Sequence, residues 1–467
     1  MEKPLTFLRA GEGGGSGITF ALRERQSERF LHYAPPTGPP PLRSNGPVLD
    51  ALARGRFALV AGARGSYVAC RISVTEARSI ISQAVAPLAP SRIPLAEARG
   101  RILRETVSAP GDLPAFDRSA MDGYAVAIAD ESERFRVVME VQAGPSPESA
   151  LTAGECARVF TGAKIPSGAS QVIMQEAVRQ EGEWMIPLRR DHTTHIRHRG
   201  EDAMAGAVLL ESGARLRASE LALLAQLGAM QPLVSPAPRV LHITTGRELV
   251  PPEMEPRDGE IRDTNSSMVA AMLADRGSRL QHQSRCADDL AETVARISSV
   301  EEASWDVLLI SGGASVGDYD FGAKTLRNIG FTIHFDRLNL RPGKPLIFGT
   351  RRAQAAFVLP GNPVSHLVTF HLAVRLALEC LEAAPSSWPL AAAMLLEDLP
   401  AQSDLRETYW PCEVRSEGGT LRARLLGWKS SGDLCGLAGV NALLQLLPAS
   451  APLSRGDSAK CLLLDLA

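Results

Sequence analysis

The chain lacks the cysteine spacing that holds a metal or builds a disulfide framework. Its seven cysteines (Cys70, Cys156, Cys286, Cys380, Cys412, Cys435, Cys461) are odd in number, scattered and never in a CxxC pair. That argues against a zinc site and structural disulfides, and points to a reducing cytoplasm as the home of the chain. An excess of charge is missing too. Lys and Arg total 50 against 52 Asp and Glu, a net charge of -2, so no basic field exists to draw in nucleic acid or an anionic membrane, and neither partner is expected. Any anion must be bound locally. No apolar run approaches the roughly 20 residues of a membrane span, since the longest candidate, 368–381, is interrupted by His371 and Arg375. The first residues carry Glu2, Arg9 and Glu12 ahead of a Gly-Gly-Gly-Ser run and no apolar core of a secretory signal.

A length of 467 residues with 45% hydrophobic content predicts about three domains with real cores. Residues 1–72 hold a Gly-rich run from Gly11 to Gly17 and a Pro-rich run from Pro35 to Pro41, which suits a poorly ordered leader of unknown role. Ser73-Val-Thr-Glu76 reads as a capping box that opens a helix through Val74, Ala77, Ile81, Ala84 and Val85. Residues 95–103 read as a second short helix, and Ser219 and Gly228 as the caps of a third. Residues 73–108 with 207–236 are therefore expected to form a helical linker domain. Between them, 109–206 alternate in short runs between Gly and Pro turns, the pattern of a β-rich domain.

From 237 to 385 the rhythm becomes strand, loop, helix. Strands are expected at 239–244, 305–310, 331–335, 346–348 and 355–359, Asp263-Thr-Asn265 and Asp288-Asp289 as caps of two helices, and a helix over 364–383. This is an α/β domain with a mainly parallel sheet. Residues 386–467 alternate without long helices and read as a C-terminal β domain. The fold class is multidomain α/β plus β.

The stretch Ser311-Gly-Gly-Ala-Ser-Val-Gly-Asp-Tyr-Asp320 follows a buried strand. Its glycines and small hydroxyl residues let backbone N–H groups approach an anion, with Asp318 and Asp320 beyond to hold a cation. Three further polar loops follow strands: Thr244-Thr-Gly-Arg-Glu248, Asn339-Leu-Arg-Pro-Gly-Lys-Pro345 and Pro360-Gly-Asn-Pro363. In open α/β sheets ligands bind outside the carboxyl ends of strands, so the four loops predict one rim. Arg341 and Lys344 supply charge for phosphates; Glu248 and Asp320 supply oxygens for a divalent ion. A second cluster joins 116–125, 160–166 and 197–202. There Asp117 and Asp122 suit Asx turns, and 197–202 suits either a solvated charge run or an oxyanion held beside a metal; composition leaves these open.

The blocks FDRSAMDGYA, RVFTGAKIPSGASQVIMQE, RGEDAMAGA, TTGREL, IRDTN, SGGASVGDYDF, RPGKP and LPGNPVS, in this order and spacing, resemble the molybdopterin molybdenumtransferases, a family similar to the gephyrin E domain. The resemblance covers residue 73 to the C-terminus and weakens after about 385. It implies insertion of molybdenum from molybdate into adenylylated molybdopterin, with Mg2+ present and AMP released. It also implies a homodimer with a three-layer α/β molybdopterin-binding domain and a C-terminal β-barrel, in contact with the molybdopterin adenylyltransferase and downstream cofactor-handling proteins. The family's functional carboxylates fall on Asp122, Asp202, Glu248, Asp288 and Asp320, and its polar positions include Thr161 and Ser431.

The residue types suit that chemistry. A phosphoanhydride needs a cation to screen its phosphates, and Glu248, Asp288 and Asp320 are the candidate Mg2+ ligands. Molybdate, a dianion, needs fixed donors and positive charge, expected from Arg337, Arg341, Lys344 and the backbone from Ser311 through Gly312, Gly313 and Ser315 to Gly317, with Pro360 and Asn362 completing the rim. The family commonly has an acid at Arg247, a Lys at Arg337 and Arg341, and an Arg at Pro411. The departures around Glu248 keep open a pterin-binding scaffold with reduced or lost insertion activity; a further alternative is a nucleotide pyrophosphate hydrolase on the related domain.

Overall fold

The computed structural model describes residues 19–24, 27–32, 71–127, 129–145, 150–190, 192–313, 319–385 and 388–464. The chain divides into two units, Met1–Val68 and Ala69–Ala467. In the first, strands Thr19–Glu24 and Ser27–His32 form an antiparallel hairpin with Thr19 opposite His32. Of the remainder of the expected leader only Arg71 and Ile72 are described, and Ile72 bridges Leu338 in parallel.

In the second unit, helix α1 (Val74–Ala84) begins with the expected capping box. Glu76 N donates to Ser73 Oγ at 3.1 Å while Ser73 N donates to the Glu76 carboxylate at 2.8 Å, satisfying two backbone donors that a helix start leaves open. The apolar stripe of α1 enters the large core of the α/β domain. The second expected helix is reduced to a single 3-10 turn, Leu95–Glu97. Gly100 turns with φ +77 and Leu103 N donates to Ala214 O at 2.8 Å, so tertiary pairing overrides local helix preference. Helix α2 (Ala218–Gln226) starts at an Arg217 N-cap, which places Ser219 inside it; Glu220 accepts from Arg217 N at 2.9 Å. Gly228, at φ +71, ends it as expected.

The β-rich domain holds a six-stranded sheet: β1 (Gly123–Val126), β2 (Phe135–Val141), β3 (Glu155–Val159), β4 (Gln171–Met174), β5 (Val178–Glu181) and β6 (Trp184–Pro187). Their order is β5-β6-β2-β3-β1-β4.

The α/β sheet comprises β7 (Arg239–Thr245), β8 (Arg279–Cys286), β9 (Val307–Ser311), β10 (Thr332–Arg337), β11 (Pro345–Arg351) and β12 (Gln354–Leu359). The order is β8-β7-β9-β12-β11-β10; the first four are parallel, and β11 and β10 are added antiparallel. Every residue of β9 and β12 is buried, as a sheet covered on both faces demands. Helices α3 (Asn265–Ala274) and α6 (Pro363–Leu381) cover one face; α4 (Leu290–Ser298) and α5 (Tyr319–Asn328) cover the other. Asp289 caps α4, accepting from Glu292 N at 2.8 Å. Helix α6 runs longer than the expected apolar stretch, at 19 residues, and nearly all of its most apolar part is buried inside the protein.

Five strands close a barrel at the C-terminus: β13 (Leu390–Leu395), β14 (Glu407–Glu417), β15 (Thr420–Leu425), β16 (Ala442–Leu446) and β17 (Ser458–Leu463). The ring runs β14-β15-β13-β17-β16 and back to β14. Leu340 and Arg341 pair in parallel with Glu407 and Thr408, stitching an α/β loop to the barrel.

A buried ionic cluster joins the C-terminal end of α6 to its surroundings. Glu379 accepts from Arg375 Nε at 3.0 Å and Arg276 Nη2 at 2.9 Å; Glu382 lies 3.9 Å from Arg215 Nη2, and its carbonyl accepts from Ser235 Oγ. Burial pushes the Glu382 carboxyl from 4.5 up to about 7, against the pull of Arg215, Arg276 and Arg101. The folded chain then holds a proton that the unfolded chain releases near 4.5, so stability falls as pH rises from about 4.5 to about 7. Glu382→Gln is expected to flatten that decline by up to about 3 kcal/mol. Urea unfolding at either end of the window checks it; an unchanged slope would refute it.

Candidate functional site

The carboxyl ends of the parallel strands open into a cavity of about 1410 Å³, where the topology of an open α/β sheet places ligands. Of the expected site residues, Glu248, Asp288, Ser311, Gly312, Gly313, Arg341, Lys344, Pro360, Asn362 and Ser431 all line it. Ser315 and Gly317 lie outside the described residues. Asp320 is the second residue of α5, and its side chain lies outside what is described. Arg337 stands at the end of β10 opposite Pro345, off the cavity wall.

Glycine is required where the loops meet. At Gly312, φ is +101 and a Cβ would sit 2.5 Å from Thr245 O; at Gly313, φ is +66 and a Cβ would sit 2.6 Å from Phe321 Cδ1. The start of the loop at Gly312 and Gly313 is thus packed against its neighbours. Gly312 N–H donates to Leu359 O at 3.1 Å, so this member of the expected backbone cradle continues the sheet and does not face a ligand.

Neighbouring loops are fixed by short polar contacts. Asp263 accepts from Ser266 N at 3.0 Å, and Ser266 Oγ lies 2.7 Å from Thr244 Oγ1. Asn265, read from the sequence as a capping residue, instead donates from Nδ2 to Gly361 O at 2.7 Å. Asn362 Nδ2 donates to Ser431 Oγ at 2.9 Å, carrying the barrel loop to the rim. Two buried groups on the cavity wall, Asn265 Oδ1 and Thr245 Oγ1, have no partner among the described residues. An unpaired buried polar atom costs about 1–3 kcal/mol, which favours a ligand that satisfies both.

Charge of both signs faces the cavity. Burial first, then Arg71, Arg337 and Arg406, hold the Lys344 ammonium below its ordinary range. Arg406 is clamped by Asp404, whose Oδ1 accepts from its Nε at 2.8 Å; that clamp depresses the Asp404 carboxyl to about 2. Arg341 Nη1 lies 3.5 Å from Asp404, and its guanidinium stands 5.8 Å from the Trp428 ring centre. The barrel residues Arg406, Trp410, Trp428 and Lys429 also line the cavity; sequence reasoning missed them because no local motif marks them. Among the described residues no three His, Cys, Asp or Glu side chains converge on a metal. Glu248 and Asp288 do share one cavity with the cations Arg341 and Lys344, and their all-oxygen set fits Mg2+, which takes one or two carboxylates alongside substrate phosphates.

Asp122, Thr161 and Asp202 belong to the β-rich domain and do not line this cavity. Asp122 Oδ1 accepts from Thr161 N at 2.8 Å and Thr161 Oγ1 at 3.0 Å, bonds that lower its carboxyl below the ordinary range. The two expected residues are therefore brought together across the sheet. Asp202 pairs with Arg197, which also lies 3.5 Å from Glu201.

Comparisons with known proteins agree with this architecture. Residues 72–228 match the family model for the MoeA N-terminal region (domain I and II), and 242–379 match that for a probable molybdopterin binding domain. A molybdopterin molybdenumtransferase of Nostoc sp. is 36% identical over 365 residues, covering 75% of this chain and 83% of the relative. Molybdopterin molybdenumtransferase 2 of Mycobacterium tuberculosis is 32% identical over 389 residues, 80% of this chain and 95% of its own. The crystal structure of the molybdopterin biosynthesis moeA protein from Pyrococcus horikoshii superposes with a TM-score of 0.71 at 30% identity, covering 84% of this chain and all of that one.

The steric fit at Gly312 yields a test. Gly312→Ala combines positive φ with overlap onto Thr245 O, a strain of about 1–3 kcal/mol, and is expected to weaken Mg2+-pyrophosphate binding about tenfold or more by calorimetry. Gly111→Ala, with nothing within 4 Å of the new Cβ, is the control and should bind as the wild type does.

Proposed function

The chain belongs to the molybdopterin molybdenumtransferase family, and on that premise we propose that it uses this cavity to insert molybdenum from molybdate into adenylylated molybdopterin and release AMP. It is a transferase of molybdenum cofactor biosynthesis. The observation that carries the site assignment is the meeting of Glu248 and Asp288 with Arg341 and Lys344 in one cavity at the carboxyl ends of parallel strands.

In this reading Glu248 and Asp288 hold Mg2+, with Asp320 as the third candidate ligand. A bound Mg2+ screens the phosphates and polarises the phosphoanhydride. Lys344 and Arg341 draw molybdate and phosphate oxygens into the cavity they share with those carboxylates, and Asp404 holds the Arg406 guanidinium at its lining. Asn265 Oδ1 and Thr245 Oγ1 offer hydrogen bonds to the nucleotide or the pterin. The thiolates that ligate molybdenum come from the pterin, so the protein needs no soft ligand set of its own. The setting is the cytoplasm, in keeping with the free cysteines among the described residues. The working form is a homodimer, receiving substrate from the adenylyltransferase and passing product to cofactor-handling proteins, with Asp122 and Thr161 as the residues through which the β-rich domain serves the reaction.

The test is molybdate-dependent, Mg2+-dependent release of AMP from adenylylated molybdopterin. Glu248→Gln and Asp288→Asn are each expected to slow it by about 100-fold or more, the scale of removing one electrostatic stabiliser from a transition state. Tight binding of the substrate with no molybdate-dependent release would sink the reading.

A further inference from the structure

Beneath the floor of the cavity, on the sheet face covered by α3 and α6, lies a histidine that the chemistry above does not use. His242 of β7 is fully buried and bonded through both ring nitrogens. Its Nδ1 lies 2.8 Å from Gln283 Nε2, and its Nε2 lies 2.7 Å from Ser311 Oγ.

The directions of these bonds follow from elimination. Gln283 Nε2 also lies 3.0 Å from the carbonyl oxygen of Ser266, which can only accept, so the amide end there is the nitrogen. Its second hydrogen points at His242 Nδ1, which must accept it. Burial, with His366 nearby, drives the imidazole pKa down to about 3, so the ring is neutral and carries one N–H. That hydrogen sits on Nε2 and is donated to Ser311 Oγ. The hydroxyl hydrogen of Ser311 must then go elsewhere, and among the described residues His242 is the only hydrogen-bond partner recorded for Ser311 Oγ. Ser311 belongs to the cavity lining yet is itself fully buried, so only a group seated directly against it can take that hydrogen, and the next residue has its N–H committed to Leu359 O.

We propose that His242, held in its Nε2–H tautomer by Gln283, makes the Ser311 hydroxyl a one-way donor to an acceptor oxygen of the bound ligand. His242 is thus a positioning residue, acting through Ser311. The inference rests on the reading of this cavity as the site of an adenylylated substrate, and its test has two arms so that the two can fail separately.

In the first arm the full chain is labelled with 15N-histidine and no ligand is needed. His242 is expected to show a protonated Nε2 and a bare Nδ1 from about pH 5 to about pH 9, the range over which a neutral buried ring does not titrate. Gln283→Met, at an exposed edge position, is expected to release the ring into a mixture of tautomers. A protonated Nδ1 in the wild type, or no change in Gln283→Met, would overturn the relay.

In the second arm AMP is titrated into the variants. Ser311→Ala and His242→Leu are each expected to weaken AMP by about tenfold, the scale of one hydrogen bond to an ionised group. The double variant should be no weaker than either alone, since His242 acts only through Ser311. His242→Gln, which retains an N–H donor, should recover most of the loss. Additive losses would mean that His242 merely supports the fold, and would overturn the proposal. Should His242→Leu not fold, Gln283→Met carries the same comparison. Absence of AMP binding by the wild type would count against the site reading, while the tautomer would still decide the relay.

Discussion

Where β9 leaves the sheet, the main chain of Gly312 approaches that of Thr245 so closely that only glycine fits, with Gly361 in contact beside it, and the cavity depends on that contact. Thr245 O stands where a Cβ of Gly312 would be, and Gly361 would place its own Cβ 3.7 Å from Gly312 Cα. Main chains packed at this distance cannot drift independently. The polar groups that ride on them (Thr245, Ser311 and, through its bond to Gly361 O, Asn265) are located by the strand ladder and not by flexible side-chain stems. The orphan atoms Asn265 Oδ1 and Thr245 Oγ1 persist on such a floor because the surrounding backbone cannot relax to satisfy them.

The cations are positioned by a different device. Pairing of Leu340 and Arg341 with Glu407 and Thr408 makes the barrel a wall of the cavity and brings Arg406, Trp428 and Lys429 to the α/β rim. Arg341 and Arg406 both meet Asp404, so part of their charge is answered within the protein. The charged groups that perturb Lys344 are all cations. An anion entering the cavity therefore relieves repulsion at Lys344, which has no ion pair to break among the described residues; under the proposed function this makes Lys344 the first contact for molybdate or phosphate.

Local order was legible in the sequence wherever one short motif decides it. The capping box at Ser73 and Glu76, the cap at Asp289, the strands flanking Ser311 and the helix after Pro363 each follow from neighbouring residues. Residues 95–103 failed as a helix because Leu103 is claimed by a partner more than a hundred positions away, which no local pattern records. The same reason hid the barrel's share of the site: Arg406 and Trp428 carry no motif, and closure of the five-strand ring is what turns them toward the rim. His242 was invisible for a subtler reason. In the sequence it is one polar residue inside an apolar strand; its meaning appears only when Gln283 and Ser311 are seen on its two nitrogens.

The residues that depart from the family pattern are accommodated by their surroundings. A guanidinium at Arg341 finds Asp404 to one side and the face of Trp428 to the other, partners suited to a planar fork more than to a compact ammonium. Pro411 lies in β14 opposite Leu443, and its carbonyl still accepts from Leu426 N at 3.0 Å, so the barrel closes without the donor that proline lacks. Arg247 is the departure with the most direct chemical consequence, because it lines the cavity beside Glu248. The Glu248 carboxylate folds back to 3.0 Å from where a Cβ of Gly246 would lie, and glycine there leaves it room. A cation next to a metal-binding carboxylate weakens its hold on a divalent ion but adds affinity for the phosphate that the same ion bridges. Under the proposed function, the balance at this corner would shift from metal bound in advance toward metal arriving with its nucleotide, the mode that suits a Mg2+ site with few protein carboxylates.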